Sequence, residues 1–298
     1  MPLRQNTIEN GDDFVDNFAW MSDKGSADFL AHLAAENAYT VDATAHLAPL
    51  RDELYDDILA RTRQTDLNVP SFVRHTDGSA WWYYSRSIEG LDYPIHCRLP
   101  ALDADEIPDV TTAPPGEQVV LDENLVAEGQ AFFALGLCDV SLDGRLLAWS
   151  QDTSGDERYR FHVIDLATRA ELPAPDVPVA AGGCWCGDER LVYLTVDDAW
   201  RPDTVWLHEI GTPSGKDTKL FYEPDPRFWV GASFTRSETY LVIEVGSSVT
   251  SEEWLVDATD LRSAPQVVWP RNEGVEYALS HAVIDGADTL FILHNKDA

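Results

Sequence analysis

The spacing of apolar residues changes once along the chain. Between residues 25 and 63 it is helical, in two segments. In the first, Phe29, Leu30, Leu33 and Ala34 follow Ser26, a residue suited to capping a helix N-terminus. In the second, Leu47, Leu50, Leu54 and Ile58 form a stripe, with Asp52, Glu53, Asp56 and Asp57 facing away. Two amphipathic helices are predicted, each needing something to lie on. Their acidic polar faces argue against a membrane surface, where Lys and Arg are needed.

From Val69 onward, short runs of β-branched and aromatic residues alternate with Gly, Pro, Asp and Asn, and no further helix is predicted. One pattern recurs: SLDGRLLAWS at 141–150, CGDERLVYLT at 186–195, TRSETYLVIEV at 235–245 and DGADTLFILH at 285–294. Each is a polar turn leading into a strand that reads as buried. Aligning Leu146, Leu191, Leu241 and Leu290 gives steps of 45, 50 and 49 residues. A further strand follows each of the first copies, such as FHVIDL at 161–166 and TVWLHEI at 204–210.

That period belongs to a propeller blade, a small sheet that cannot bury both of its faces alone and stacks against its neighbours around an axis. SAWWYYSRS at 79–87 opens an earlier copy. At roughly 48 residues per repeat the β region holds nearly five blades, the last cut after its visible strand. A propeller covers its edges by closing its ring, so either more chain is expected to follow or another chain must cover the open faces.

Composition narrows the classes. The 298 residues, 44% of them apolar, suffice for one large or two smaller globular domains. The formal net charge of −31, from 52 acidic and 21 basic residues, excludes a nucleic-acid surface as the default. It favours a cationic partner, or simply coats the protein with solvated carboxylates. Four cysteines, two of them Cys184 and Cys186, do not make a disulfide framework and point to a reducing cytoplasm. With no C-x-x-C or close His pair beside them, neither a metal nor another cofactor is expected. No stretch is long and apolar enough for a membrane helix, and the start carries Glu9, Asp12, Asp13 and Asp16 rather than an export signal.

Several motifs, in a shared order, resemble the oligopeptidase B branch of the prolyl oligopeptidase family. DDFVDNFAWM at 12–21, with Asp16 and Trp20, and FLAHLAAENAYT at 29–40, with Glu36, Asn37 and Tyr39, are similar to its opening and first helix. NVPSFVRHTDGSAWWYYSRSIEGLDYPIHCR at 68–98 is similar to its first blade, and VVLDENLVAEG at 119–129 and TSEEWLVDA at 250–258 also fit. RPDTVWLHEIGT at 201–212, with Arg201, Pro202, Trp206, His208, Gly211 and Thr212, is the most family-specific stretch.

The resemblance implies a mainly β fold: an incomplete propeller of about five of seven blades over 68–298, preceded by an α-helical arm over 1–67 that packs on an α/β-hydrolase domain. That domain would carry the Ser-Asp-His triad and most of the specificity for basic residues. Its nucleophile should lie in a G-x-S-x-G elbow. No elbow occurs in this chain. The nearest approach, Gly231-Ala-Ser233-Phe-Thr235, falls where the repeat demands a strand.

The eight histidines are read as lying in helices or on repeat strands with no convergent Ser or Cys, and His208 and His281 as packing or surface residues. No catalytic residue is therefore assigned. The expected function is the substrate-gating region of a cytoplasmic serine peptidase that cuts short, cationic peptides after Arg or Lys, this chain alone being inactive. A stand-alone propeller scaffold without peptidase activity, or a gene fragment with no function of its own, is the alternative. In the turn Asp152 to Tyr159, the residues Asp156, Glu157 and Arg158 are candidates for contact with the hydrolase domain, or for a solvated loop.

Overall fold

A computed structural model of the protein describes residues 4–7 and 13–297, with side chains from Asp16 onward. Glu9 and Asp12 of the acidic start lie outside the described residues. The chain divides into two compact units between Gln64 and Thr65. The first holds an antiparallel strand pair, β1 (Arg4–Thr7) and β2 (Asp13–Asp16), then α1 (Ala27–Thr44) and α2 (Ala48–Arg61), joined by a 3-10 turn at Ala45–Leu47. Ser26 caps α1 as the sequence predicts, its Oγ accepting from Phe29 N–H at 3.3 Å. The apolar stripes differ from expectation: Leu30, Leu33, Leu50, Leu54 and Ile58 are exposed, and neither helix has a buried residue.

The second unit is a series of antiparallel sheets in sequence order. The first blade contains β3 (Asp66–Leu67), β4 (Ser71–Arg74), β5 (Ala80–Ser87), β6 (Ile95–Pro100) and β7 (Gln118–Asp122), with β3 and β4 both pairing with β5. A one-turn helix, α3 (Glu123–Val126), follows. Blade two is β8 (Ala134–Val140), β9 (Leu146–Asp152), β10 (Arg160–Asp165) and β11 (Glu171–Leu172). Blade three is β12 (Gly183–Cys186), β13 (Arg190–Val196), β14 (Pro202–Glu209) and β15 (Thr218–Tyr222). Blade four is β16 (Trp229–Phe234), β17 (Tyr240–Gly246), β18 (Ser251–Asp257) and β19 (Gln266–Val267). The fifth sheet shows β20 (Tyr277–Ile284) paired with β21 (Ala287–His294).

Leu146, Leu191, Leu241 and Leu290 thus all fall on the second strand of their blade, as the repeat requires. The first three are fully buried, whereas Leu290 is 41% exposed. Burial on both faces explains why these strands read as continuous apolar runs rather than alternating ones. Along β9, Leu147 and Trp149 pack with Val120 and Leu121 of blade one, while Leu146 and Ala148 pack with Trp185, Leu191 and Tyr193 of blade three. Blade three then presents Val192, Leu194, Val205 and Leu207 to Leu241, Ile243, Val245 and Val256 of blade four.

Two local features depart from the sequence reading. The β region contains α3, because the Asp122 side chain caps it through Asn124 N–H, and Asn124 in turn holds both backbone groups of Tyr93. Part of the acidic composition is also structural. Asp165 accepts from Ala167 and Thr168 N–H, and Asp257 from Thr259 N–H, closing turns after strands. The Thr168 N–H holds the Asp165 carboxyl, and the Thr259 hydroxyl the Asp257 carboxyl, below the usual range. That support is present above about pH 4 and is lost as acid protonates them.

At two glycines the first strands of blades two and three leave no room for a side chain. A Cβ on Gly136 would lie 2.4 Å from Ser150 Oγ and 2.6 Å from the Ala181 carbonyl of the next blade. One on Gly183 would lie 2.7 Å from the Val192 carbonyl, whereas one on Gly231 meets nothing closer than 3.6 Å. Gly136→Ala and Gly183→Ala are therefore expected to lower stability by about 1–3 kcal/mol in urea unfolding, and Gly231→Ala by no more than about 0.5.

Candidate functional site

The first strands of blades one to four and the turns that follow them line a half-open cavity of about 520 Å³. Its wall mixes charge: Arg74, Asp139, Arg190 and Glu238 line it with His75 and Cys184. His75 lies in the turn after β4, not on a strand as the sequence suggests. It is held there by Leu142 O at 3.0 Å from Nδ1 and Tyr83 OH at 2.8 Å from Nε2, tying blade one to the blade-two turn. Burial raises the Asp139 carboxyl above its usual range, opposed by the Val140 N–H it accepts.

Burial pushes both the Cys138 and Cys184 thiols up to about 12. At neutral pH they are therefore protonated and poor nucleophiles. All four cysteines are free, and Cys184 and Cys186 lie on β12 with Cys186 buried, as small strand residues. Among the described residues no group of three or more His, Cys, Asp or Glu could hold a metal ion.

One Ser–His contact appears that the sequence did not indicate. Ser237 Oγ lies 2.6 Å from His281 Nδ1, and His281 Nε2 lies 3.4 Å from Asp288 Oδ1, outside hydrogen-bond geometry. The residues come from neighbouring blades and are 44 positions apart, so no local motif could reveal them. The turn explains the contact. Ser237 Oγ also meets Thr235 Oγ1 at 2.9 Å, and Thr235 Oγ1 accepts from Tyr240 N–H. In blade two Ser141 and Asp143 close the corresponding turn on Leu146 N–H. His281 therefore clamps a hairpin turn from the next blade. Ser233, in the nearest approach to an elbow, lies on strand β16 with its hydroxyl toward Glu244, 3.3 Å away.

The stretch 201–212 proves structural. Buried Arg201 donates to Asp197 and to the carbonyls of Glu223, Asp225 and Phe228, stitching β14 to the segment that enters blade four. Trp206 donates to Thr195 Oγ1 at 3.0 Å. His208 is buried with Nδ1 2.8 Å from Asp217, whose other oxygen accepts from Tyr193 OH at 2.7 Å.

At the opposite end of the blades, the loop between β9 and β10 carries Asp156, Glu157 and Arg158. Asp152 gathers the N–H groups of Ser154, Gly155 and Glu157. Glu157 is exposed, with φ at 59°. The neighbouring blade reaches in with Trp200: its indole N–H donates to Asp156 O, and the Arg158 guanidinium lies 4.6 Å from its ring centroid. Trp200 itself has φ of 61° and remains 44% exposed. This end can offer an aromatic ring, a guanidinium and carboxylates to a partner, and the other end a half-open cavity. Neither brings together a nucleophile, a base and an oxyanion pocket.

Comparison with known proteins identifies the blades. The family model for the prolyl oligopeptidase N-terminal β-propeller domain matches residues 4–298. The chain is 35% identical over 278 residues to dipeptidyl aminopeptidase BI of Pseudoxanthomonas mexicana, covering 89% of this chain and 37% of that protein. It is 30% identical over 294 residues to protease 2 of Moraxella lacunata, covering 97% and 40%. Oligopeptidase B from Trypanosoma brucei, in a closed form with covalently bound antipain, matches at a TM-score of 0.81 and 30% identity over 98% of this chain and 39% of that one. The chain spans about two fifths of the length of these relatives. Described residues include no helix long and apolar enough to cross a membrane. By the match that runs along its blades, the chain belongs to the prolyl oligopeptidase family, as that family's N-terminal β-propeller domain.

Proposed function

We propose that this propeller region gates the active site of an oligopeptidase B-like serine peptidase, cytoplasmic, that in its intact form cuts short cationic peptides after Arg or Lys. The observation that carries this reading is the likeness, over 98% of the chain, to an oligopeptidase B with antipain covalently bound. The nucleophile, its oxyanion pocket and the main basic-residue specificity belong, in this reading, to an α/β-hydrolase domain within the length of the relatives that this chain does not span. Gating rests on the idea that in the intact protein a ring of blades over the active site admits extended peptides and excludes folded proteins. The net charge of −31 adds a screened attraction for cationic peptides.

The exposed apolar residues of α1 and α2 support a role for residues 1–67 as an arm that packs on the hydrolase domain. The Asp156, Glu157 and Arg158 loop with Trp200 is the proposed contact across the cavity. A second reading of the specificity, removal of dipeptides from a free N-terminus, is favoured by the 35% identity to a dipeptidyl aminopeptidase.

The intact protein is expected to hydrolyse an N-terminally blocked peptidyl-Arg substrate and to leave folded proteins uncut. Hydrolysis restricted to substrates with a free amino terminus would favour dipeptide release, and hydrolysis of neither would refute the peptidase reading. Trp200→Ala in the intact protein is expected to raise cleavage of polypeptides longer than about 30 residues several-fold, by loosening the closed form. An unchanged size limit would mark the loop as merely solvated.

A further inference from the structure

Blades one to four, each with its full set of strands, contribute to the half-open cavity of about 520 Å³, and no residue of the fifth sheet lines it. Trp185, Cys186 and Phe234 give it apolar surface. The hydroxyls and the imidazole of its wall are already bonded within the protein. Both ring nitrogens of His75 are engaged, by Leu142 O and Tyr83 OH, and the Thr76 hydroxyl donates to Asp188 Oδ1 at 3.3 Å. The Ser141 hydroxyl donates to Asp143 at 2.6 Å, and the Thr259 hydroxyl to Asp257 at 2.6 Å.

Four charges are left over, one from each blade. Arg74 stands at the end of β4 in blade one, Asp139 on β8 in blade two, Arg190 at the start of β13 in blade three and Glu238 in the turn between β16 and β17 in blade four. Their signs alternate from blade to blade. Among the described residues none of the four forms an ion pair, although Arg74 lies with its guanidinium 5.6 Å from the Phe72 ring centroid and Asp139 accepts the Val140 N–H. Elsewhere on the blades arginines take up carboxylates, as Arg201 does Asp197 and Arg271 does Glu223 and Glu252. The wall is therefore balanced in charge and unpaired, in a chain with 52 acidic and 21 basic residues.

We propose that this cavity binds a short peptide with both termini free, its carboxylate held by Arg74 and Arg190 and its ammonium group by Asp139 and Glu238. A ligand of one sign alone would meet two like charges for the two it pairs with, whereas a zwitterion satisfies all four. The volume lies in the range of small-ligand sites. Burial works against the Asp139 anion, and a bound ammonium group offsets that cost. The cavity is at the end of the blades away from Trp200 and the Asp156 loop, so a peptide held there leaves that loop free for its proposed contact. The inference does not rest on the peptidase reading, since it concerns binding and not cleavage.

The test is isothermal titration calorimetry of the 298-residue chain at low ionic strength with dialanine, its N-acetylated form, its C-terminal amide and the single amino acid alanine. Dialanine is expected to bind at least about 10-fold more tightly than each of the other three. Arg190→Gln is expected to weaken dialanine binding and to shrink the penalty for amidation while keeping that for acetylation, and Glu238→Gln to do the reverse. Absence of dialanine binding up to about 10 mM, equal affinity for the blocked forms, or unchanged penalties in both variants would overturn the proposal. Alanine binding as tightly as dialanine would overturn the assignment to a peptide. Because the comparison among the four ligands uses the unaltered chain, a variant that fails to fold does not remove the test.

Discussion

Every blade has two faces to hide, and only its neighbours can hide them. The constraint fixes the character of the strands: β9, β13 and β17 are buried on both sides, so one side chain packs backward and the next forward around the axis. It also explains the crowding at the innermost strands, where Gly136 and Gly183 occupy space that admits no side chain. Several polar groups inside this arrangement are tied across a junction. Ser150 links Leu137 N–H to Ala181 O, Trp185 donates to Asp139 O, and Arg201 gathers three carbonyls of the segment entering blade four. Such bonds cost little in the folded state and leave unpaired buried groups when neighbouring blades separate, which couples each blade to the next.

This architecture was legible in the sequence where it rests on periodicity. Leu146, Leu191 and Leu241 mark the second strands because a polar turn followed by a doubly buried strand recurs at blade spacing, and Ser26 announces α1 by its capping chemistry. What remained hidden depends on contacts between blades. His281 meets Ser237, and Glu253 faces Leu279, only after the sheets stack. The turn position of His75 and the one-turn helix after Asp122 escaped for a similar reason, since both are held by partners distant in the chain, Tyr83 and Leu142 for the first and Tyr93 for the second. The exposed stripes of α1 and α2 show the limit of amphipathic patterning: it predicts that a face wants cover without saying what supplies it.

The acidic composition likewise resolves into parts. Some carboxylates close turns, as Asp165 and Asp257 do, and some pair with arginines, as Glu223 and Glu252 do with Arg271. The most family-specific stretch, 201–212, is scaffolding: Arg201, Trp206 and His208 each serve to fix blade three. In the proposed reading the chain supplies shape, a cavity and partner-facing loops, and the bond-breaking groups lie elsewhere in the intact protein.

That claim is tested most directly by incubating the 298-residue chain alone with a fluorescent serine-reactive phosphonate, alongside a fluorogenic peptidyl-Arg substrate. The structure predicts no covalent labelling and no hydrolysis, because Ser237 is engaged in its turn and His281 serves as its clamp. Stoichiometric labelling of Ser237, with hydrolysis abolished by the reagent, would show that this propeller carries a nucleophile of its own and would contradict the account.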